Sequence, residues 1–224
     1  MTTSLPSPAL SNYVARQLDQ FFPDGQPVPA SMMYEMTAQA LARLEPAIAA
    51  SSNKYFQREG KPFFDHLHSD QYAMFLYLLA RIVAKAGLPR APQLATKLYL
   101  LNKALHGLDV YFEVQLPEVF LFAHPVGTVL GRAEYGNYFV VMQNCTVGNI
   151  DNRFPKIGEK VVLCSGSAVL GGCDLGAGAC VGAGSLLVNV TIPAQRTVTG
   201  RGKEICILSE PSEKWRNYFR LDLA

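Results

Sequence analysis

Charge is scarce in this sequence. Asp, Glu, Lys and Arg make up 17% of its 224 residues, the net charge is +2, and no run of like charges appears. A dedicated nucleic-acid binder carries a basic stripe, so that class is excluded. Long apolar runs are missing too. The nearest approach, AMFLYLLARIVAKAG (Ala73–Gly87), is interrupted by Arg81 and Lys85. It falls short of the roughly 18 uninterrupted apolar residues of a membrane span, so it reads as a buried helix and no membrane partner is expected. The first 22 residues have no basic stretch ahead of an apolar core, and a signal peptide is not expected. No CxxC pair occurs, and the five cysteines (Cys145, Cys164, Cys173, Cys180, Cys206) are odd in number. That pattern suits reduced thiols acting as small hydrophobes in a cytoplasm rather than a disulfide framework.

What is present falls into two halves with different patterns. Hydrophobic residues reach 49%, ample for a core, and the length suits one large domain or two small ones. Residues 1–108 read as four helices. LSNYVARQLDQFF spaces Leu10, Val14 and Leu18 by four, and Pro23 and Gly25 stop it. SMMYEMTAQALARLEPAIA starts at a candidate cap, Ser31, and SDQYAMFLYLLARIVAKAG at another, Ser69. APQLATKLYLLNKALHGLD runs to Gly107, a suitable helix end.

Beyond residue 110 a six-residue step takes over. Apolar residues recur at Val129, Tyr135, Val141 and Val147, pause over Asn149–Pro155, and resume at Ile157, Leu163, Val169, Leu175, Val181 and Leu187. Four positions after each step the residue is mostly small, as at Cys145, Ser167, Cys173, Ala179 and Ser185. A fixed step of this kind signals a repeat architecture. Three short strands per coil, one aliphatic side chain pointing inward from each, build a triangular prism whose coils bury apolar surface only against their neighbours. A glycine-rich β-sandwich is the rival, but sandwich strands do not keep a fixed step. Residues 109–207 are assigned to the prism. Residues 208–224, with the only Trp, Trp215, space Trp215, Tyr218, Phe219 and Leu221 like one face of a short helix that packs on the prism or a neighbouring subunit and caps its last coil.

The segments AHPVGTVLG, FPKIGEKVVLCSGSAVLG and VGAGSLLV, after a helical half, resemble the hexapeptide-repeat acyltransferases, and serine acetyltransferases in particular. The resemblance covers the chain from about residue 90 and more loosely the region before it. It implies an α+β chain in which a helical domain leads into a left-handed parallel β-helix. It also implies a homotrimer, or a dimer of such trimers, with acetyl-CoA as co-substrate in the groove between subunits and no metal. The family's general base is a histidine, and the matching residue is His124, the sole histidine after residue 106. Imidazole titrates near working pH, which suits proton removal from an acceptor hydroxyl. The family orients that base with an aspartate from the preceding coil. No Asp aligns around Pro117, leaving Glu113 and Glu118 as the available carboxylates, with Glu113 nearer the family acid's place.

Two departures bear on the acceptor. Ala123 stands where the family has Asp, and Phe154 where it has His. Neither supplies the lost charge or hydrogen bonds, so serine is not the expected acceptor, and a larger or less charged one, a sugar hydroxyl or an amine, is. Arg153 matches a family arginine suited to an anionic group. On the donor side, Asn149, Ser165 and Ala183 match positions whose small size lets pantetheine approach, Gly166 and Gly184 flank two of them, and Arg201 and Lys203 follow as candidates for the CoA phosphates. The 148–155 loop interrupts the repeat and is expected to reach over the active site. The alternative function is a non-catalytic hexapeptide scaffold. A β-helix carbonic anhydrase would need several zinc histidines, and one repeat-region histidine does not supply them.

Overall fold

The computed structural model describes residues 1–220. Four helices come first: α1 (Ser7–Phe21), α2 (Tyr34–Ala50), α3 (Ser69–Ala84) and α4 (Ala91–His106). Their starts differ from the expected caps. Residues Ala30–Met33 form a 3-10 turn, so α2 begins after Ser31 rather than at it. Ser69 is the first helical residue of α3, and His68 holds the cap position. Gly107 closes α4 at φ +61°, the left-handed end that glycine allows. The sequence did not reveal a small sheet in this half. β1 (Thr2–Thr3) pairs in parallel with β3 (Lys61–Phe64), which pairs antiparallel with β2 (Gln57–Arg58). Strands of two to four residues are too short for a period to register.

Helix α3 is the hub. Every side chain from Asp70 to Ala80 is buried, as expected of a helix that is apolar all round. It packs on α2, α4 and the first solenoid face. Its polar groups hold the irregular segment that enters the solenoid. The Tyr77 hydroxyl donates to the Val114 carbonyl at 2.6 Å and accepts from the Leu116 amide at 3.1 Å. Arg81 donates to the carbonyls of Phe112 and Val114, and Arg43 of α2 to those of Pro117 and Glu118. Among the described residues no helix is long and apolar enough to cross a membrane.

The solenoid follows as β4 (Asp109–Val110), β5 (Phe120–Ala123), β6 (Val129–Leu130), β7 (Glu134–Tyr135), β8 (Phe139–Met142) and β9 (Thr146–Gly148). It continues with β10 (Lys156–Ile157), β11 (Val162–Leu163), β12 (Ala168–Leu170), β13 (Asp174–Leu175), β14 (Cys180–Val181), β15 (Leu186–Val188), β16 (Thr191–Ile192) and β17 (Arg196–Thr199). These pair in parallel, each with its counterpart one coil away, into three faces. The face of β5, β8, β11, β14 and β17 lies against α3 and the C-terminal tail and is here called the covered face. The face of β4, β6, β9, β12 and β15 is the bare face, and that of β7, β10, β13 and β16 the charged face.

Inside, Val141, Leu163, Val181 and Val198 stack along the covered face, all at 0% exposure. Val147, Val169 and Leu187 line the bare face, and Ile157, Leu175 and Ile192 the charged one. Cys145, Ser167, Cys173, Ala179 and Ser185 are buried as the small inward residues. The step has one correction. Val129 is 42% exposed, and its neighbour Leu130, at 2%, points inward, because pairing sets Leu130 opposite Val147. Glycine is required where coils touch backbone to backbone. A Cβ on Gly136 would lie 2.4 Å from the Glu159 nitrogen, and one on Gly158 2.7 Å from the Leu175 oxygen.

The outer surfaces of the faces differ. The charged face presents Glu134, Lys156, Asp174 and Thr191, all exposed. The bare face presents Val129, Thr146, Ala168 and Leu186, with Leu170 and Val188 beside them. The last coil is covered by a strand, β18 (Cys206–Pro211), which pairs antiparallel with β17 and crosses the expected boundary at 207. The tail then runs down the covered face. The expected C-terminal helix is a single 3-10 turn, Lys214–Asn217. Trp215 is 8% exposed, with Lys160 and Arg216 over its ring at 4.9 and 4.8 Å. Phe219 is buried and bridges to Ser51 of the helical half. Leu221 lies outside the described residues.

Candidate active site

The chain leaves β5 and turns the corner between covered and bare faces at His124. Its φ is +54°, a left-handed conformation that costs a non-glycine residue on the order of 1 kcal/mol and persists only where the surroundings hold it. The holding group is Asp70, in the first turn of α3. Its Oδ1 accepts the His124 amide at 3.2 Å, and its Oδ2 lies 3.9 Å from His124 Nδ1. The carboxylate is buried, whereas the imidazole is 84% exposed. Behind Asp70, on α4, sits His106, whose Nδ1 pairs with Asn102 Oδ1 at 2.8 Å. Burial lowers the His106 pKa, against the opposing pull of Asp70's charge.

The imidazole faces an open cleft of about 520 Å³. Three parts of the chain wall it. The covered face supplies Phe122, Met142 and Gln143, the helical half Asn53, Phe56 and Asp70, and the tail Asn217 and Tyr218. The Ser52 hydroxyl donates to the Asn217 carbonyl at 2.7 Å, closing the wall between helical half and tail.

The residues expected on the donor side divide between two edges of the bare face. One edge carries most of them. Ala123 pairs with Met142, Val141 with Leu163, and Leu163 with Val181, which sets His124, Gln143, Ser165 and Ala183 on successive rungs of one ladder. Gly166 donates to the Gln143 carbonyl and Gly184 to that of Ser165, both at 2.9 Å. Ser165 and Ala123 line the cleft. Arg201 bridges to Leu186 at the top of the same edge, and Lys203 follows in a 3-10 turn. Rungs are spaced about 4.8 Å, so the ladder climbs roughly 19 Å from the imidazole to the level of Gly200.

The other edge carries Asn149, Arg153 and Phe154. Here the repeat is interrupted by a tight hairpin in which Ile150 and Arg153 exchange backbone bonds of 3.2 and 2.9 Å. Asp151 and Asn152 turn it with φ of +52° and +57°. Phe154 is exposed under the Arg132 guanidinium. Within one chain the width of the bare face separates this hairpin from His124, so it does not reach over the cleft.

The expected carboxylates lie elsewhere in the structure. Glu113 borders a different cleft, with Arg81, Lys85 and Tyr111. Glu118 lies where Arg43 binds its carbonyl. Neither comes within ion-pair distance of His124, and Asp70 does. The sequence carried one signal for it, an acidic residue opening an otherwise apolar helix. A separation of 54 residues hid its partner.

No family model matches the chain. A serine acetyltransferase 2 from Arabidopsis thaliana is 31% identical over 112 residues, covering 48% of this chain and 34% of the relative. A serine acetyltransferase from Synechococcus elongatus is 28% identical over 133 residues, covering 57% of this chain and 53% of the relative. The chain thus spans about half or less of the length of these relatives. Among solved structures, a serine acetyltransferase from Brucella abortus superposes with a TM-score of 0.68 at 20% identity, over 92% of this chain and 84% of that one. A serine acetyltransferase in complex with CoA superposes with a TM-score of 0.65 at 21% identity, over 90% of this chain and 84% of that one. The fold is theirs, a helical part followed by a left-handed parallel β-helix.

Proposed function

We propose that this protein is an acetyl-CoA-dependent O- or N-acetyltransferase, with His124 as general base. The observation that carries the reading is the ladder. An exposed imidazole stands at the foot of a ladder that passes Gln143 and continues as a column of small residues, Ser165, Gly166, Ala183 and Gly184, ending near Arg201 and Lys203. An extended thioester arm laid along that edge meets backbone rather than bulk, with cations at the far end for its phosphates. The acyl carbonyl then sits over the cleft. His124 removes the proton from an acceptor hydroxyl or amine, the freed oxygen or nitrogen attacks the carbonyl, the C–S bond breaks, and the CoA sulfur leaves with the proton. The sequence relatives named serine acetyltransferase support the reaction class. The replacements at Ala123 and Phe154 argue for an acceptor other than serine, a sugar or another small molecule.

The second edge fits the same scheme through assembly. Asn149, Arg153 and Phe154 are a face-width from their own chain's His124. A second copy packed on the bare face would bring this edge to the first copy's ladder. Above Asp109 at its foot, which is paired with Lys103, that face carries the uncharged outer residues Val129, Ala168, Leu170, Leu186 and Val188, whereas the other two are charged or covered. A closed homotrimer uses the face three times without leaving an edge. Three buried free cysteines suit a reducing cytoplasm.

The test is a screen of amino acids, amino sugars and nucleotide sugars for acceptor-dependent thiol release from acetyl-CoA. His124→Ala should cut turnover by roughly 10²–10⁴ while leaving the assembly intact. Full turnover in that variant, or no stabilisation of the wild type by saturating acetyl-CoA and CoA, overturns the reading.

A further inference from the structure

We infer that Asp70 of the helical domain is the positioning residue for His124, so that the site is completed across the two halves of the chain. The inference rests on the reading of His124 as the base. It stands on three observations. Asp70 is the sole carboxylate among the described residues within ion-pair distance of the imidazole. Its two oxygens are divided, one on the His124 amide at 3.2 Å and the other 3.9 Å from Nδ1. The side chain is itself 4% exposed as a residue, which is uncommon for a carboxylate without a task.

The two contacts act on different freedoms. The amide bond holds the left-handed backbone at the corner, which sets where the Cβ of His124 points. The second oxygen faces Nδ1, and an acceptor there places the ring proton on Nδ1 and leaves Nε2 as the basic lone pair toward the cleft. At 3.9 Å this second contact is open. Such bonds are long in unliganded enzymes and shorten when substrate closes the site. The other titratable groups around the pair are His106 on α4, behind the carboxylate, and Tyr218 of the tail across the cleft. Neither is bonded to the imidazole. The Ser69 hydroxyl, 3.3 Å from Oδ1, completes the surroundings.

A consequence separates this arrangement from one confined to the solenoid. The base is oriented only while α3 is docked on β5. Whatever moves α3 by an ångström disorients a residue 54 positions away in sequence.

The experiment reads the tautomer directly. The full chain, labelled with nitrogen-15 in its histidines, is examined by two-bond proton–nitrogen correlation where imidazoles are neutral, with His124→Gln identifying the resonance. The expected result is a proton on Nδ1 of His124 in the wild type and in Asp70→Glu. Asp70→Asn should shift it to Nε2, the tautomer that an unpartnered imidazole favours. Wild-type His124 carrying its proton on Nε2, or Asp70→Asn leaving it on Nδ1, overturns the proposal. The wild-type spectrum decides even if Asp70→Asn does not fold. In thiol release, Asp70→Asn should lower kcat by roughly 10²-fold with the KM for acetyl-CoA little changed. The tautomer does not depend on acyl transfer. Loss of the acetyltransferase reading, by full turnover in His124→Ala, is therefore distinguishable from loss of the role given to Asp70.

Discussion

The helical half and the solenoid bury apolar surface in different ways. In the helical half, large side chains from distant positions converge on α3, with Phe75 set between Tyr72 and Phe64, and Tyr77 against Phe120 and Phe122 of the first coil. In the solenoid each coil repeats the one below, and Val141, Leu163, Val181 and Val198 touch mainly their own counterparts. One core is a three-dimensional cluster and the other a column. A column is held by nearest neighbours and can in principle loosen from either end, whereas a cluster is lost as a unit. Here the column does not end freely. Its foot is tied to α2 and α3 through Arg43, Tyr77 and Arg81, and its tail returns to Ala50 and Ser51. The difference teaches that the solenoid supplies the register of the cleft and the helical half its rigidity.

The largest expected effects compare the two cores. Phe75→Ala, at a position with 0% exposure, should cost about 3–5 kcal/mol, and Leu163→Ala, also at 0%, about 2–5 kcal/mol. Urea unfolding followed by circular dichroism reports the helices, and Trp215 fluorescence reports the tail on the column. With the two halves tied as described, either substitution should move both signals together. Separate transitions would break the comparison by making column and cluster independent.

A smaller change addresses the tie itself. Tyr77→Phe keeps the ring and removes one hydroxyl that serves two backbone partners. Val114 retains Arg81 as a donor, but the Leu116 amide loses its acceptor in a buried setting. An unsatisfied buried group of this kind costs about 1–3 kcal/mol. Urea denaturation at equilibrium should therefore place Tyr77→Phe below wild type by that amount. A neutral result would mean that the solenoid's entry segment is held by the arginines alone.

The column was legible because its chemistry is periodic. Each inward aliphatic residue from Val141 to Leu187 falls on the step read in the sequence, and the small residues between them are the buried corner residues. Val129 failed because pairing, not spacing, decides which of two adjacent aliphatic residues points inward. The cluster gave its helices but not its contacts, since nothing periodic links Asp70 to His124. That is why the candidate carboxylate was sought among Glu113 and Glu118, nearer in sequence. The tail misled for a related reason. Trp215 and Phe219 are buried as expected, but an apolar spacing that suits a helix also suits one 3-10 turn laid along a sheet.

The helical cluster should also be the acid-sensitive half. Burial lowers the His106 pKa below its ordinary 6.5. The folded state then binds fewer protons at this site than the unfolded chain. The stability it contributes is complete above about pH 6.5 and is lost as pH falls below that value toward the depressed folded one. His106→Gln keeps a polar group near Asn102 and removes the titration. Melting temperatures of wild type and variant should differ at neutral pH and converge as the solution is acidified. A difference independent of pH would mean that His106 binds protons equally in the folded and unfolded states.

The smallest effect concerns reactivity rather than stability, and it probes the covered face from outside. Cys164 and Cys180 belong to adjacent coils of that face, with their sulfurs 3.7 Å apart. Donation from the Cys180 thiol to the Cys164 thiolate lowers the Cys164 pKa to about 7, against burial and with help from Lys214 of the tail. The same bond pushes the Cys180 pKa up. A thiolate is the reacting species, so iodoacetamide labelling of Cys164, followed by peptide mass spectrometry, should rise through pH 7. Cys180→Ala removes the donor and should move that rise to higher pH. Lys214→Ala removes the weaker influence and should move it less. The ordering of the two shifts is the useful quantity. The Cys180 bond is internal to the column, whereas Lys214 reaches Cys164 only if the tail lies along the covered face. A profile that responds to Cys180→Ala but not to Lys214→Ala would leave the column intact and detach the tail, and with it the wall that Asn217 and Tyr218 give the cleft.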